Sequence, residues 1–105
     1  MIWSNAAARL LGIRIKQLRK DRGLTQENLA HAAGITKNAI QLIESGRGSA
    51  REDGPPSNLR LTSLFGLAEA LGTSPAELIL GLEHPSASVE TDKAKHDEKL
   101  SELAP

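Results

Sequence analysis

The chain has 105 residues, which supports one domain with one modest core, and it has no cysteine, which excludes disulfides and thiolate metal sites and fits a reducing cytoplasm. Thirteen Lys and Arg balance thirteen Asp and Glu, and a net charge of zero counts on its face against a nucleic-acid binder. Trp3 and Phe65 are the only aromatic residues, so the core has to be built from Leu, Ile and Ala.

In chain order, Ser4 or Asn5 can cap a first helix running to about Arg22, with Leu11, Ile15 and Leu18 on its inner face and Asp21-Arg22-Gly23 at its end. Residues 25–45 carry the most informative pattern. Thr25 is a good N-cap, although Asn28 stands where a capping box would want Glu or Gln. Leu29, Ala30 and Ala33 recur at helical spacing, and the small residues Ala30, Ala32 and Ala33 let a second helix approach. Gly34 follows at once, suited to a left-handed turn, and Ile35 plugs the corner. Thr36 caps the next helix, Ile40 and Ile43 form its buried face, and Gly46 closes it. Two short helices joined by a tight glycine turn are the layout of a helix-turn-helix, whose second helix can enter the DNA major groove. Lys37, Asn38, Gln41 and Ser45 share the side opposite Ile40 and Ile43. Lysine can reach guanine acceptors or phosphate, and asparagine or glutamine can bond adenine bidentately. A single amphipathic helix would carry such a polar face merely as a solvated one. Here two caps, two glycines and the small-residue stripe agree in register, which favours a DNA-reading face.

Residues 47–60 follow, with Gly48, Gly54, Pro55 and Pro56 and few apolar side chains, and read as a loop longer than a helix–helix connection needs. It is either a tolerated surface insertion, whose length costs little entropy, or a basic flap in which Arg47, Ser49 and Arg51 touch phosphates. Leu61, Leu64, Phe65, Leu67, Ala68 and Leu71 predict a fourth helix, capped by Thr62 and stopped by Gly72. Gly66 within it costs about 1 kcal/mol relative to alanine, which implies a close neighbour there. Ser74-Pro75-Ala76-Glu77 is a capping box with proline at the first helical position. Leu78 and Ile79 are expected to finish the core. Leu80 and Leu82 are candidates for a dimer interface, with Trp3 as a second anchor. From residue 83 to 105 the composition shifts to Ser, Thr, Lys, Asp and Glu, an acidic segment expected to stay disordered, with Leu100 and Leu103 available to a partner.

The assembled pattern resembles the Cro and phage-repressor type of helix-turn-helix, also called the xenobiotic-response-element family. The matching segments are residues 11–19, Gly23-Leu24-Thr25-Gln26, Leu29-Ala30, Gly34-Ile35-Thr36, Ile40, Ile43-Glu44, Gly46, Leu64, residues 67–72 and Ser74-Pro75-Ala76-Glu77-Leu78, about residues 9–81 in all. The resemblance implies an all-α, five-helix lambda-repressor-like domain over residues 1–82, often a homodimer on a two-fold symmetric operator. It implies further that Gln26 bonds a backbone phosphate, that Lys37, Asn38 and Gln41 face base edges, and that Arg19 and Glu44 form a structural salt bridge. Two departures stand out. Leu42 occupies a position where a polar or basic residue is frequent, and it either meets a thymine methyl or is packed. The 47–60 connection is several residues longer than usual.

The distribution of charge matters more than its total. Residues 1–60 carry ten basic and five acidic side chains, and residues 61–105 three basic and eight acidic, so a half at +5 adjoins a half at −5 with the motif in the positive half. The expected function is therefore a sequence-specific double-stranded DNA-binding regulator, a repressor acting as a homodimer. The expected interface is Gln26, Thr36, Lys37, Asn38, Gln41, Ser45, Arg47 and Arg51. The competing reading is a protein-interaction module on the same fold, such as an antitoxin acting through its tail, or a restriction-modification controller. No enzyme is expected: His31, His84 and His96 are scattered, no second ligand stands at metal spacing, and no Ser-His-Asp set or glycine-rich phosphate loop is present. No cofactor or metal is expected either. No apolar run approaches membrane-spanning length, and Arg9 and Arg14 interrupt the N-terminal apolar stretch, so the expected location is the cytoplasm, at the nucleoid of a prokaryote or in a phage context.

Overall fold

Ser4 starts the first helix: its extended backbone and its hydroxyl, accepting from the Ala7 N–H at 3.1 Å, satisfy one of the free donors of α1, Asn5–Asp21. In this computed structural model residues 3–51 and 53–83 are described, and the acidic tail expected from residue 83 lies, Glu83 apart, outside them. Along α1 the buried residues Ala7, Leu11, Ile15 and Arg19 recur every fourth position, with Ala8 and Gly12 beside them, giving one continuous seam. The helix ends at Arg22, whose N–H reaches back to Leu18 O at 3.0 Å.

The two threonine caps form as the sequence predicts. Thr25 accepts from the Asn28 N–H at 3.0 Å and opens α2, Gln26–Ala33. Thr36 accepts from the Ala39 N–H at 3.0 Å and opens α3, Lys37–Ser45. Gly34 (φ 74°) and Gly46 (φ 75°) end these helices in the left-handed region, where a Cβ would be strained. After Gly34 the Ile35 N–H bonds Ala30 O at 3.0 Å, and after Gly46 the Arg47 N–H bonds Leu42 O at 2.9 Å, so each glycine turn satisfies the last carbonyls of its helix.

The fourth helix, α4, spans Leu61–Leu71, and the fifth, α5, Pro75–Ile79. Ser74 caps α5 by accepting from the Glu77 N–H at 3.1 Å, while the Glu77 carboxylate accepts from the Thr73 hydroxyl instead of closing the box. All five helices feed one aliphatic core. The largest fully buried side chains are Ile15 from α1, Leu29 from α2, Ile40 from α3, Leu67 and Leu71 from α4, and Leu78 from α5. Each such burial contributes roughly 1.5–3 kcal/mol of transfer free energy. Among the described residues the backbone forms helices, turns and one isolated antiparallel bridge, Arg47 to Pro56.

Three expectations fail for tertiary reasons. Thr62 does not cap α4, because helical structure already begins at Leu61 and the cap position falls on Arg60, which makes no side-chain cap bond. The start is set instead by apolar contact: Leu59 before the cap and Leu64 in the first turns both pack on the core, a hydrophobic staple. Leu82 is 3 % exposed and completes the core, whereas Ile79 is exposed, so their expected roles are exchanged. Leu80 stays exposed, as a dimer candidate must be. Trp3 is no free anchor either; it packs on the core and donates its indole N–H to Ser57 O.

Two helix glycines mark close approaches. At Gly66 an added Cβ would lie 2.6 Å from Ala33 O, so α4 touches the end of α2 there, the neighbour that the sequence implies. At Gly12 the clash would be with Ile43 O and, at 2.7 Å, with Glu44 O, which brings α1 against the last turn of α3. Gly12→Ala should therefore destabilise by about 1–3 kcal/mol through overpacking against rigid backbone. An unhindered helix position would give the opposite sign, a gain of about 0.5–1 kcal/mol. Urea unfolding followed by circular dichroism decides between the two signs.

Candidate nucleic-acid interface

The polar face of α3 is assembled by helical periodicity. At 100° per residue, Lys37, Asn38, Gln41 and Ser45 fall within an arc of about 100°, opposite the buried Ile40 and Ile43. Lys37, Asn38 and Gln41 are exposed, and the first two stand in the opening turn. Their donors and acceptors match the major-groove edges of bases. Two other expected contacts have their polar groups engaged within the protein. The Thr36 hydroxyl accepts from Ala39 N, and the Ser45 hydroxyl turns back to Gln41 O and Leu42 O, both at 3.0 Å. Thr36 thus serves the geometry of α3, and Ser45 carries its hydroxyl proton into its own helix.

At the flank of this face, in the last turn of α3, lies a nearly buried ionic knot. Arg19 grips Glu44 with two bonds, Nε to Oε2 at 2.6 Å and Nη2 to Oε1 at 3.1 Å, and their side chains are 11 % and 4 % exposed. The third arm of the guanidinium, Nη1, donates to Leu24 O at 2.9 Å. Gln26 Nε2 donates to Glu44 Oε1 at 3.1 Å. Arg19 belongs to α1, Leu24 to the turn before α2, Gln26 to the first position of α2 and Glu44 to the last turn of α3. One bidentate pair therefore fixes three elements around the N-terminus of α2 and orients Gln26 there. The resemblance supplies the pair. The added bonds from Gln26 and to Leu24 emerge only from the structure.

The 47–60 insertion leaves α3 directly. Its root is closed by Gly48 N–H to Pro55 O at 2.9 Å and Ser57 N–H to Gly46 O at 3.0 Å. Arg47 and Arg51 are both exposed, and Arg51 pairs at 3.2 Å with the equally exposed Asp53. Such an exposed pair contributes little and exchanges readily for a phosphate. Leu42 is half-buried and lines a groove between α3 and residues 57–63, together with Ile35, Ala39, Arg47 and Arg60. Sequence reasoning passes over Arg60 and Arg9 as contacts. Arg60 flanks that groove at the head of α4, and Arg9 joins Asn5, Ser45 and Arg47 around a polar cleft at the other end of α3. Nothing in their local sequence distinguishes them; only the folding of distant segments against α3 does.

A family model described as a helix-turn-helix domain matches residues 10–79. The uncharacterized HTH-type transcriptional regulator y4dJ of Sinorhizobium fredii is 32% identical over 71 residues, 68% of this chain and 80% of that relative. The HTH-type transcriptional regulator PrtR of Pseudomonas aeruginosa is 36% identical over 74 residues, 70% of this chain but 25% of PrtR. Among solved structures, the restriction-modification controller protein C.AhdI from Aeromonas hydrophila superposes with a TM-score of 0.57 at 32% identity, over 68% of this chain and 94% of that one. The chain belongs to the helix-turn-helix family, in its Cro and phage-repressor form, a class of DNA-binding transcriptional regulators. Among the described residues no helix is long and apolar enough to cross a membrane.

Arg19→Ala should leave the Glu44 carboxylate buried without its counter-charge and lower stability by about 3–5 kcal/mol, the usual cost of breaking a buried pair from one side. Base preference of the folded fraction should change far less. Urea unfolding combined with binding-site preference measured well below the melting temperature separates the two effects, and a fully stable variant would contradict the structural role of the pair.

Proposed function

We propose that this protein is a repressor that binds a two-fold symmetric operator as a homodimer, reading bases with Lys37, Asn38 and Gln41. The observation that carries the reading is the presentation of those three side chains together on the exposed face of α3, while the ionic knot holds the helix at its last turn. Lys37 supplies a cation to guanine acceptors or phosphate, and Asn38 and Gln41 supply paired donors and acceptors to adenine. Gln26, with one amide hydrogen on Glu44, offers its second to a backbone phosphate beside the N-terminus of α2, where the helix dipole favours an anion. Arg47 and Arg51 extend the phosphate contacts along the insertion. These contacts set register and the salt dependence of binding, while the α3 face sets sequence.

The homodimer reading is supported by exposed apolar side chains on two adjoining helices: Leu61 and Phe65, one turn apart on α4, and Ile79 and Leu80 at the end of α5. These side chains are available for burial against a second copy. Two copies would carry their α3 helices roughly 34–36 Å apart, one turn of B-DNA. The compartment that fits a cysteine-free duplex binder is the cytoplasm.

Selection of sites from a random duplex pool near physiological salt tests the whole reading. Enrichment of a palindrome with half-sites one turn apart is the expected result, and Gln41→Ala should then relax one position in each half-site by about 1–3 kcal/mol. If no sequence is enriched, the fold serves a protein partner instead. If a motif is enriched and Gln41→Ala reads it unchanged, Gln41 makes no base contact.

A further inference from the structure

Within the insertion the tip closes on itself, Gly54 N–H to Arg51 O at 3.2 Å and Arg51 N–H to Ser49 Oγ at 3.3 Å, and two backbone bonds close its root. Pro55 and Pro56 have no N–H to give, so the root depends on Gly48 N–H to Pro55 O and Ser57 N–H to Gly46 O. Beyond that root, Ala50, Arg51 and Asp53 at the tip are exposed. Ser57, by contrast, is 3 % exposed. Its N–H is bonded to Gly46 O, and its carbonyl accepts the indole N–H of Trp3, 54 residues earlier. Trp3 itself packs on the aliphatic core and lines a small cavity with Leu11, Leu59, Leu64 and Ile79. A chain of contacts thus runs from the core to Trp3, on to Ser57, then to Gly46, the residue that ends α3. Arg47 is next in sequence.

We propose that Trp3 is a positioning residue for DNA binding: through the Ser57 carbonyl it holds the root of the insertion against Gly46, and so sets where Arg47 and Arg51 stand beside α3. This rests on the reading that those arginines meet DNA phosphates. Trp3 touches no DNA in this arrangement and acts only through the insertion. The burial of Ser57 supports the assignment, since its Oγ has no hydrogen-bond partner while both of its backbone groups are paired. That residue is held in place by its backbone, and one of the two backbone ties is the indole.

Trp3→Phe keeps an aromatic ring on the core and removes the N–H, so it isolates the tie. In the free protein, hydrogen exchange at the Gly48 and Ser57 amides should speed up several-fold, while the Ile15 and Leu67 amides, at the centre of α1 and α4, keep their protection. On the selected duplex, at a temperature where circular dichroism shows both proteins folded, affinity should fall about three- to tenfold, the range of one net hydrogen bond. The dependence on salt should flatten, as it should for Arg47→Ala. The double variant should lose less than the product of the two single losses, because both act through one element. Unchanged exchange at Gly48 and Ser57 overturns the proposal without reference to DNA, and so does wild-type affinity with a wild-type salt slope. If exchange quickens but Arg47→Ala and Arg51→Ala both bind like the parent, the insertion stays off the DNA. The underlying reading then falls, and the assignment of Trp3 to DNA binding falls with it.

Discussion

The bidentate bond between Arg19 and Glu44 is the constraint on which the rest of the arrangement depends. Two charges with side chains only 11 % and 4 % exposed have lost most of their hydration, so their attraction largely offsets a desolvation cost instead of adding net stability. What the pair does provide is geometry. Glu44 accepts from Arg19 twice and from Gln26 once, and Arg19 also donates to the Leu24 carbonyl, so few other placements of α1, α2 and α3 satisfy the same groups. An apolar pair of the same volume would tolerate sliding between helices; a forked guanidinium on a carboxylate tolerates little. A helix proposed to read bases has to be held to a fraction of an ångström, and the knot grips the last turn of α3 at the flank of its exposed polar face.

Steric contact completes what the ion pair begins. The last turn of α3 lies so close to α1 that a Cβ at Gly12 would lie 2.7 Å from the Glu44 carbonyl oxygen, and one at Gly46 would meet the backbone of Arg9 at 3.0 Å. These two glycines let the helices approach until their backbones touch, and the six largest buried side chains then fill the space on the far side. The core is small and without aromatic residues, because Phe65 is exposed and Trp3 lies at its edge. Rigidity at the interface comes from backbone proximity and the ionic knot more than from bulk.

The insertion adds chain to the side of α3 that the knot does not reach. A long loop costs little extra closure entropy, but an unanchored one would place its arginines at random. The antiparallel bridge from Arg47 to Pro56 and the indole bond from Trp3 to Ser57 confine the root, leaving the tip with Arg51 and Asp53 in solvent. The candidate interface therefore sets α3, clamped by the ionic knot, beside a basic arm tethered at its root. α4 and α5 turn Leu61, Phe65, Ile79 and Leu80 to solvent.

Local signals were legible in the sequence because their physics is local. Thr25, Gly34, Thr36 and Gly46 mark helix ends through bonds to residues at most five positions away, and the helical spacing of Leu29, Ile40 and Ile43 declares which faces are buried. The exposure of Lys37, Asn38 and Gln41 follows from that periodicity alone. Whatever depended on partners far along the chain was decided by the fold. The apolar staple of Leu59 and Leu64 displaced Thr62 as the cap, α5 turned Leu82 inward and Ile79 outward, and Trp3 found Ser57 across 54 residues. The distance of 25 residues between Arg19 and Glu44 likewise carries no local signature. Sequence alone determined the helices, the threonine caps of α2 and α3 and the exposed polar face of α3, since each is set within a turn or two of chain. Tertiary structure decided how α3 is clamped, which cations stand beside it and which apolar residues reach the core, since those depend on which distant segments meet in space.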